Sequence, residues 1–366
     1  MNTTKAAVIT SPGNLEILEL EMPTLQDGGV LLQVLLTEVC GTDVHLLKGH
    51  LPEAPYPLIP GHFAVGRVLE TRGEVCDVDG KPIECGEIVT FLDVYGTCGQ
   101  CWFCQVAHAS TKCPNRRVYG ITFGLRDGIH GAWSELMYLK PGTRIIPLRG
   151  ISPETFMGGG CGLVTALHAV ERAGVQLADS VVVQGSGPVG VNAALLARMK
   201  GAAEVILIGA PQSRLEVGLQ FGADHVVDVN TTTPDERVAL VRELTEGRGA
   251  DVVIEATGNP NAIPEGLMMV RDAGVYVVAG QYTDAGDTVI NPHQLLNKKH
   301  VDVRAVWGID YSHLHRAIRL MKHRGSEIKW ESLISQTYPL SQARTAIEDV
   351  SSGRVMKAAL APVQLE

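Results

Sequence analysis

The sequence predicts an α/β protein of two domains, a partly closed, barrel-like β-rich domain and a doubly wound parallel-sheet domain of the Rossmann kind. Three observations carry this. The chain has 366 residues, while single hydrophobic cores seldom grow past about 250 to 300 residues. Up to Pro153 it reads as short β-rich pieces separated by Gly and Pro, and beyond it strands alternate with helical stretches. Within that alternation a buried-strand pattern runs straight into G-x-G-x-x-G and then into an Ala/Leu-rich helix.

The elements follow in order. Val30 to Leu36, Ala64 to Glu70 and Ile88 to Leu92 are β-forming runs bounded by turn residues, the first extending as an apolar strand to Val39. Asp77-Val78-Asp79-Gly80-Lys81-Pro82 has hairpin-turn chemistry, and the flanking Cys76 and Cys85 read as ordinary strand cysteines rather than a redox pair. The alternating part gives strands at Ser180 to Gln184, Glu204 to Ile208, Val226 to Val229, Asp251 to Glu255 and Val275 to Ala279. Between them lie helices at Val189 to Lys200, Ser213 to Gly222 and Pro234 to Glu246. Past Gln281 the pattern is mixed, with a strand at Val301 to Val306 and helices at Ser312 to Lys322 and Ser341 to Ser351. The tail is expected to return to the first domain, so that residues 1–161 and 305–366 form the β-rich domain and residues 162–304 the dinucleotide domain.

Composition narrows the function. With 45% hydrophobic, 19% charged and 5% aromatic residues, the chain is a globular protein rather than a disordered or fibrous one. A formal net charge of −9 gives no electrostatic attraction to nucleic acid or anionic membrane. The N-terminal stretch lacks a signal-peptide pattern, no apolar run is long enough to span a bilayer, and a cytoplasmic address is expected. Eight cysteines are too few for a disulfide scaffold in a chain this long, and their clustering points to reduced thiolates that bind metal.

Cys98, Cys101, Cys104 and Cys113 form C-x2-C-x2-C-x8-C in a Gly-containing loop. Four thiolates suit a closed tetrahedral zinc site; an iron–sulfur set has a similar spacing, but no other electron-transfer feature accompanies it. A second group is dispersed. Cys40-Gly41-Thr42-Asp43-Val44-His45 follows the apolar strand, Gly61-His62 follows a Pro-rich loop, and Cys161 lies in Gly158-Gly159-Gly160-Cys161-Gly162 ahead of a helix expected over Leu163 to Ala173. Two cysteines and a histidine are the donor set of an open catalytic zinc site, with three protein ligands. Each residue alone has a bland reading as core thiol or hydrogen-bonded imidazole, and the weight lies in their joint occurrence.

In the dinucleotide motif, Gly185 permits the tight turn, Gly187 lets a pyrophosphate approach the backbone, and Gly190 allows the helix to pack close on the strand. Pro188 and Val189 open that helix, whose N-terminus favours phosphate. NAD-binding folds usually place an acidic residue at the end of the second strand, but Gly209-Ala210-Pro211-Gln212-Ser213-Arg214 stands there. Gly209 with Ser213 and Arg214 leans the reading toward a 2′-phosphate and NADP, with NAD still open.

Together these motifs resemble the zinc-containing medium-chain alcohol dehydrogenase family over essentially the whole chain. The resemblance implies a GroES-like catalytic domain, two zinc ions per chain and reversible hydride transfer between an alcohol, or its aldehyde or ketone, and NAD(P). It makes Cys40, His62 and Cys161 the catalytic-zinc ligands, and Cys98, Cys101, Cys104 and Cys113 the structural set. By the same resemblance Thr42 takes the substrate proton, His45 is the outer end of the relay, and Asp43 orients the ligating histidine. Thr165 and Val189 pack on the nicotinamide, Lys357 meets the pyrophosphate, and Val301 to Val306 is the edge that pairs across a family dimer; a homodimer or homotetramer is expected. One position departs from the pattern: Gly61-His62 is followed by Phe63 where the family usually has a glutamate that assists exchange at the metal. Phe63 itself reads as core packing rather than a substrate-shaping residue, and an imine or activated double-bond reductase of the same superfamily is the alternative this departure keeps open. Trp133 and Trp307 are candidates for lining the substrate pocket, although aromatic residues are more often core.

Overall fold

A computed structural model describes residues 3–363. These residues form two compact units, one running to Gly160 and resuming at Ile309, the other being Cys161–Gly308.

The spine of the first unit is the ten-residue strand Val30–Val39, buried throughout except at Gln33. It is apolar on both faces because both are covered. Ala64–Thr71 pairs antiparallel along its length, Leu136–Leu139 pairs at its start, and Ala358–Ala361 pairs at its end. The last pairing brings the C-terminal segment into this unit, with Ala358 opposite Val39 and Ala359 opposite Glu38. The sheet continues to Gln336–Pro339 on one side and through Ile88–Phe91 to Ile145–Pro147 on the other. Two cores form around it, one with Val34, Phe91 and Met137, the other with Ala7, Trp133 and Ile347. Trp133 is therefore core rather than pocket lining, and its indole Nε1 donates to the Glu38 carbonyl at 3.1 Å. Cys76 bridges to Pro82 across the expected turn, and both Cys76 and Cys85 are free and exposed.

The second unit holds six parallel strands in the order His225–Asp228, Glu204–Gly209, Ser180–Gln184, Ala250–Glu255, Val270–Val278 and Asp302–Ala305. Counted along the chain this is 3-2-1-4-5-6, and the order reverses between Ser180–Gln184 and Ala250–Glu255. Ligands of doubly wound sheets bind outside the carboxyl ends of the strands at such a reversal. Its core, with Val182, Ile206, Val253 and Tyr276, is the inward face of the sheet under its helices. The helix Ala262–Met269 escapes a sequence reading because Pro264 looks like a breaker. It sits in the first turn, where the missing N–H has no partner to lose.

The helix expected from Leu163 begins earlier, at Pro153, and is broken at Gly160, whose φ of 47° and ψ of −147° are not helical. Ser152 starts it by accepting the Thr155 N–H at 3.1 Å. Among the described residues, no helix is long and apolar enough to cross a membrane.

Candidate metal centres and cofactor site

The four clustered cysteines converge. Their sulfurs all lie within 4.8 Å of one another. Cys101 and Cys104 are 3.5 Å apart, Cys98 and Cys113 3.6 Å, and Cys101 and Cys113 3.9 Å. Zinc–sulfur bonds of about 2.3 Å set tetrahedral sulfurs about 3.8 Å apart, so the cage has the size of a four-thiolate zinc site. Backbone N–H groups turn inward to support it: hydrogen bonds led by that of Gln100 lower the Cys98 thiol, while burial and the neighbouring sulfurs raise that of Cys104, so a proton-free Cys98 is favoured within the cluster.

The second group also assembles. Cys161 follows Gly160 directly in the broken helix, and its sulfur, that of Cys40 and an imidazole nitrogen of His62 lie within 4.8 Å of one another. Cys40 follows the spine strand directly and caps the short helix Gly41–Leu47, its sulfur accepting the Thr42 N–H at 3.4 Å. The Thr42 hydroxyl is 3.5 Å from the same sulfur. His62 Nδ1 is buried without a partner among the described residues, so Nε2 is the nitrogen that hydrogen-bonds Cys40. Burial alone would pull the His62 imidazole down, but Cys40, Asp43 and Asp93 outweigh it and carry it up to about 10. The surroundings are thus arranged to stabilise a positive charge at this point. A divalent cation held by two thiolates and an imidazole fits them.

Asp43 acts on His62 through its charge, with no hydrogen bond to the imidazole among the described residues. Its Oδ2 accepts the Cys40 N–H at 2.9 Å and its Oδ1 the Gly61 N–H at 3.3 Å, so it ties together the backbones that carry two ligands instead of bonding the imidazole. Burial pushes its carboxyl up to about 7 against the pull of His62. Asp93, which sequence reasoning missed, is buried too, with Oδ1 unpartnered among the described residues and its charge acting on His62. A lone aspartate in an apolar stretch, Phe91-Leu92-Asp93-Val94, was the only signal for it. Phe63 is 1% exposed, stacks on Phe156 with ring centres 6.2 Å apart and meets His62 edge-on, so it is core packing. His45, half-buried one helical turn beyond Thr42, has Nδ1 3.2 Å from Nδ1 of the exposed His50. Burial, then His50 and Lys48, lower its pKa and keep it neutral near pH 7.

In the second unit the glycine motif closes the first strand of the sheet. Gly185 has φ +112°, and a Cβ there would sit 2.6 Å from the Ala256 carbonyl oxygen; one on Gly190 would sit 1.7 Å from that of Gly185. Gly187 differs, since nothing lies within 4 Å of its added Cβ. It precedes Pro188 and Val189 at the open N-terminus of the helix Pro188–Met199, which has no side-chain cap. Gly185, Ser186, Gly187, Gly209, Arg214 and Thr257 line a cavity of about 560 Å³, within the range of cofactor pockets. Arg214 faces it as expected, whereas Ser213 is exposed and does not line it. Arg237 also lines it but is committed elsewhere, bonded to both oxygens of Glu265 at 2.6 and 2.9 Å. Thr165 is half-buried four residues past Cys161, on the same helix face. Lys357 has other partners than a phosphate: its Nζ, 1% exposed as a residue, meets Glu38 Oε1 at 2.9 Å and donates to the carbonyls of Gly158 and Gly159 at 3.2 and 3.3 Å. Three acceptors take its three protons.

Comparison with known proteins identifies the family and the fold. Residues 26–150 match the alcohol dehydrogenase GroES-like domain and residues 188–323 the zinc-binding dehydrogenase domain. The chain is 31% identical over 360 residues to 5-exo-hydroxycamphor dehydrogenase of Pseudomonas putida, covering 98% of each. It is 28% identical to sorbitol dehydrogenase of Halalkalibacterium halodurans, covering 96% of each. The crystal structure of an alcohol dehydrogenase from Thermotoga maritima superposes with a TM-score of 0.92 at 31% identity, over 99% of this chain and 100% of that one. A zinc-binding dehydrogenase from Sinorhizobium meliloti bound to NADP superposes at 0.86 with 26% identity, over 99% of this chain and 100% of that one. With both domains matched in order and the alignment spanning nearly every residue, the chain belongs to the zinc-containing medium-chain alcohol dehydrogenase family.

Proposed function

We propose that Cys40, His62 and Cys161 hold a catalytic zinc, that Cys98, Cys101, Cys104 and Cys113 hold a second, structural one, and that the enzyme interconverts an alcohol and its aldehyde or ketone with NADP as the preferred cofactor. The observation that carries this is the approach of two sulfurs and one imidazole within 4.8 Å, beside buried acidic groups. Three side chains are the donor count of a zinc site open to substrate, and four that of a closed one. When bound, zinc supplies Lewis acidity toward the substrate oxygen and the nicotinamide accepts or returns the hydride, chemistry that no side chain here offers. Thr42, beside Cys40, takes the proton that leaves the alcohol as it gives its own hydroxyl proton onward, by way of the cofactor ribose, toward His45. His45 lies three residues on along the same helix face and holds the proton at the solvent side, its neutral ring able to accept it.

NADP preference rests on Gly209 at the end of the second strand, where a carboxylate would repel a 2′-phosphate, and on Arg214 at the cavity. Asp302–Ala305 ends the six-stranded sheet with Val303 49% exposed, which supports pairing of that edge in a homodimer. Cysteines without a disulfide among the described residues suit a reducing compartment such as the cytoplasm. Phe63 packs in the core, so its presence gives no separate support to an imine or double-bond reductase beyond the missing glutamate. The test is Cys40→Ala: the variant is expected to keep one zinc equivalent per chain and to lose turnover, and full turnover with both metals retained would end the assignment.

A further inference from the structure

Glu38 and Lys357 form a buried ion pair, 3% and 1% exposed, with Nζ 2.9 Å from Oε1. Stability is a poor reason for it. Taking two charges out of water is costly, and well-packed apolar replacements of such pairs are often neutral or more stable. What the pair touches is more informative. Lys357 donates to the carbonyls of Gly158 and Gly159, at the end of the helical stretch that stops at Gly160. A helix end leaves carbonyls without amide partners, and an ammonium there satisfies both their lone pairs and the dipole. Gly160 itself turns against the pair, since an added Cβ would lie 2.3 Å from both Glu38 Oε2 and Lys357 Nζ. The next residue is Cys161.

The other end of the pair is equally fixed. Glu38 stands two residues before Cys40, its N–H donates to the Phe63 carbonyl at 3.1 Å, and its own carbonyl accepts the Trp133 indole N–H at 3.1 Å. Phe63 directly follows His62. Lys357 precedes the strand Ala358–Ala361, whose register places Ala359 opposite Glu38.

We propose that Glu38 and Lys357 are positioning residues for the catalytic metal: the pair clamps the turn at Gly158–Gly160 onto the strand that delivers Cys40, whose backbone at Glu38 is itself bonded to the residue after His62, and so sets the third ligand, Cys161, against the other two. The proposal rests on the reading of Cys40, His62 and Cys161 as a metal site. Partners of metal ligands outside the coordination sphere commonly change affinity by about 10- to 100-fold when removed.

The experiment compares full-length wild type with Glu38→Leu/Lys357→Met, which keeps the volume and removes both charges, and with Glu38→Gln, which keeps the shape and removes one. Each is stripped of metal and titrated with Co2+ against a chelator, following the thiolate-to-cobalt absorption. The Cys98 cluster, untouched in every variant, serves as internal reference. The expected result is a catalytic-site affinity lowered about 10- to 100-fold in the double variant, smaller but measurable weakening in Glu38→Gln, unchanged affinity at the reference cluster, and a double-variant melting temperature equal to or above wild type. Should the double variant fail to fold, Glu38→Gln decides alone. Wild-type affinity at the catalytic site in the folded variants overturns the proposal. Uptake of one equivalent instead of two by wild type would overturn the metal reading itself, an outcome distinct from a variant that binds like wild type.

Discussion

Gly187→Ala separates cofactor binding from folding. The backbone at Gly187 has φ −78° and ψ −179°, extended geometry open to any residue, and an added Cβ meets nothing within 4 Å. Alanine narrows the unfolded ensemble, worth about 0.4–1 kcal/mol, while a poorer helix cap costs a similar amount, so stability stays near wild type. If the pyrophosphate sits against this backbone, the new methyl group occupies its place. Displacing it loses one or two charge-assisted hydrogen bonds at about 1.5–3 kcal/mol each. The smaller of these values alone raises the cofactor Kd roughly 10-fold and the larger roughly 100-fold. Fluorescence titration with NADP and NAD gives the Kd, and thermal melting of the cofactor-free protein gives the stability. Gly185→Ala is the contrast: with φ +112° and a Cβ 2.6 Å from the Ala256 oxygen, it lowers the melting temperature even without cofactor. An unchanged Kd in Gly187→Ala, or a cofactor-free melting point as low as that of Gly185→Ala, would refute the placement.

Arg214→Ala is expected to lower kcat/KM with NADP roughly 10-fold, about 1.4 kcal/mol, and to leave NAD turnover unchanged; equal losses with both cofactors would remove Arg214 from phosphate recognition. Arg237→Met breaks a bidentate pair with Glu265 whose side chains are 8% and 13% exposed. It should cost about 3–5 kcal/mol in urea unfolding, and Arg237→Met/Glu265→Leu should recover most of that loss. Asp310 caps the helix Tyr311–Arg324 by accepting the Ser312 and His313 N–H groups, and Asp310→Ala should cost about 1 kcal/mol at pH 7. The hydrogen bond with His313 leads in holding the Asp310 carboxyl below its usual range, with burial opposing. A depressed native pKa gives stability that is fully present above the unfolded value of about 3.9 and drains as pH falls toward the native one. The gap between wild type and variant should therefore narrow in melts taken below pH 4, and a gap that widens there would contradict the cap.

What was legible in the sequence was local. The cysteine cluster spans Cys98 to Cys113, and the glycine motif is flanked by its own strand and helix, so each carries its context within a few residues. The parallel order of the second unit follows from the same alternation. Positions set by long-range register were hidden. Lys357 matched a phosphate contact by its place in the chain, yet pairing of Ala358–Ala361 with Val30–Val39 swings it onto Glu38. Asp43 satisfies backbone amides on both sides of a loop that no spacing reveals. Phe63 could be read from the sequence as packing, but not its partner Phe156, which comes from the helix that later carries Cys161. The opening hairpin, Thr3–Ser11 with Asn14–Glu21, is obscure because Leu15, Ile17, Leu18 and Leu20 fit helical spacing as well as a strand.

The most direct measurement is anomalous scattering at the zinc edge from crystals of the protein purified without added metal. Two peaks per chain are expected, one amid the four sulfurs of the cysteine cluster and one about 2.3 Å from the sulfurs of Cys40 and Cys161 and about 2.0–2.1 Å from His62 Nε2. A full-occupancy first peak with no scatterer among Cys40, His62 and Cys161 would contradict the catalytic site on which the proposed chemistry depends.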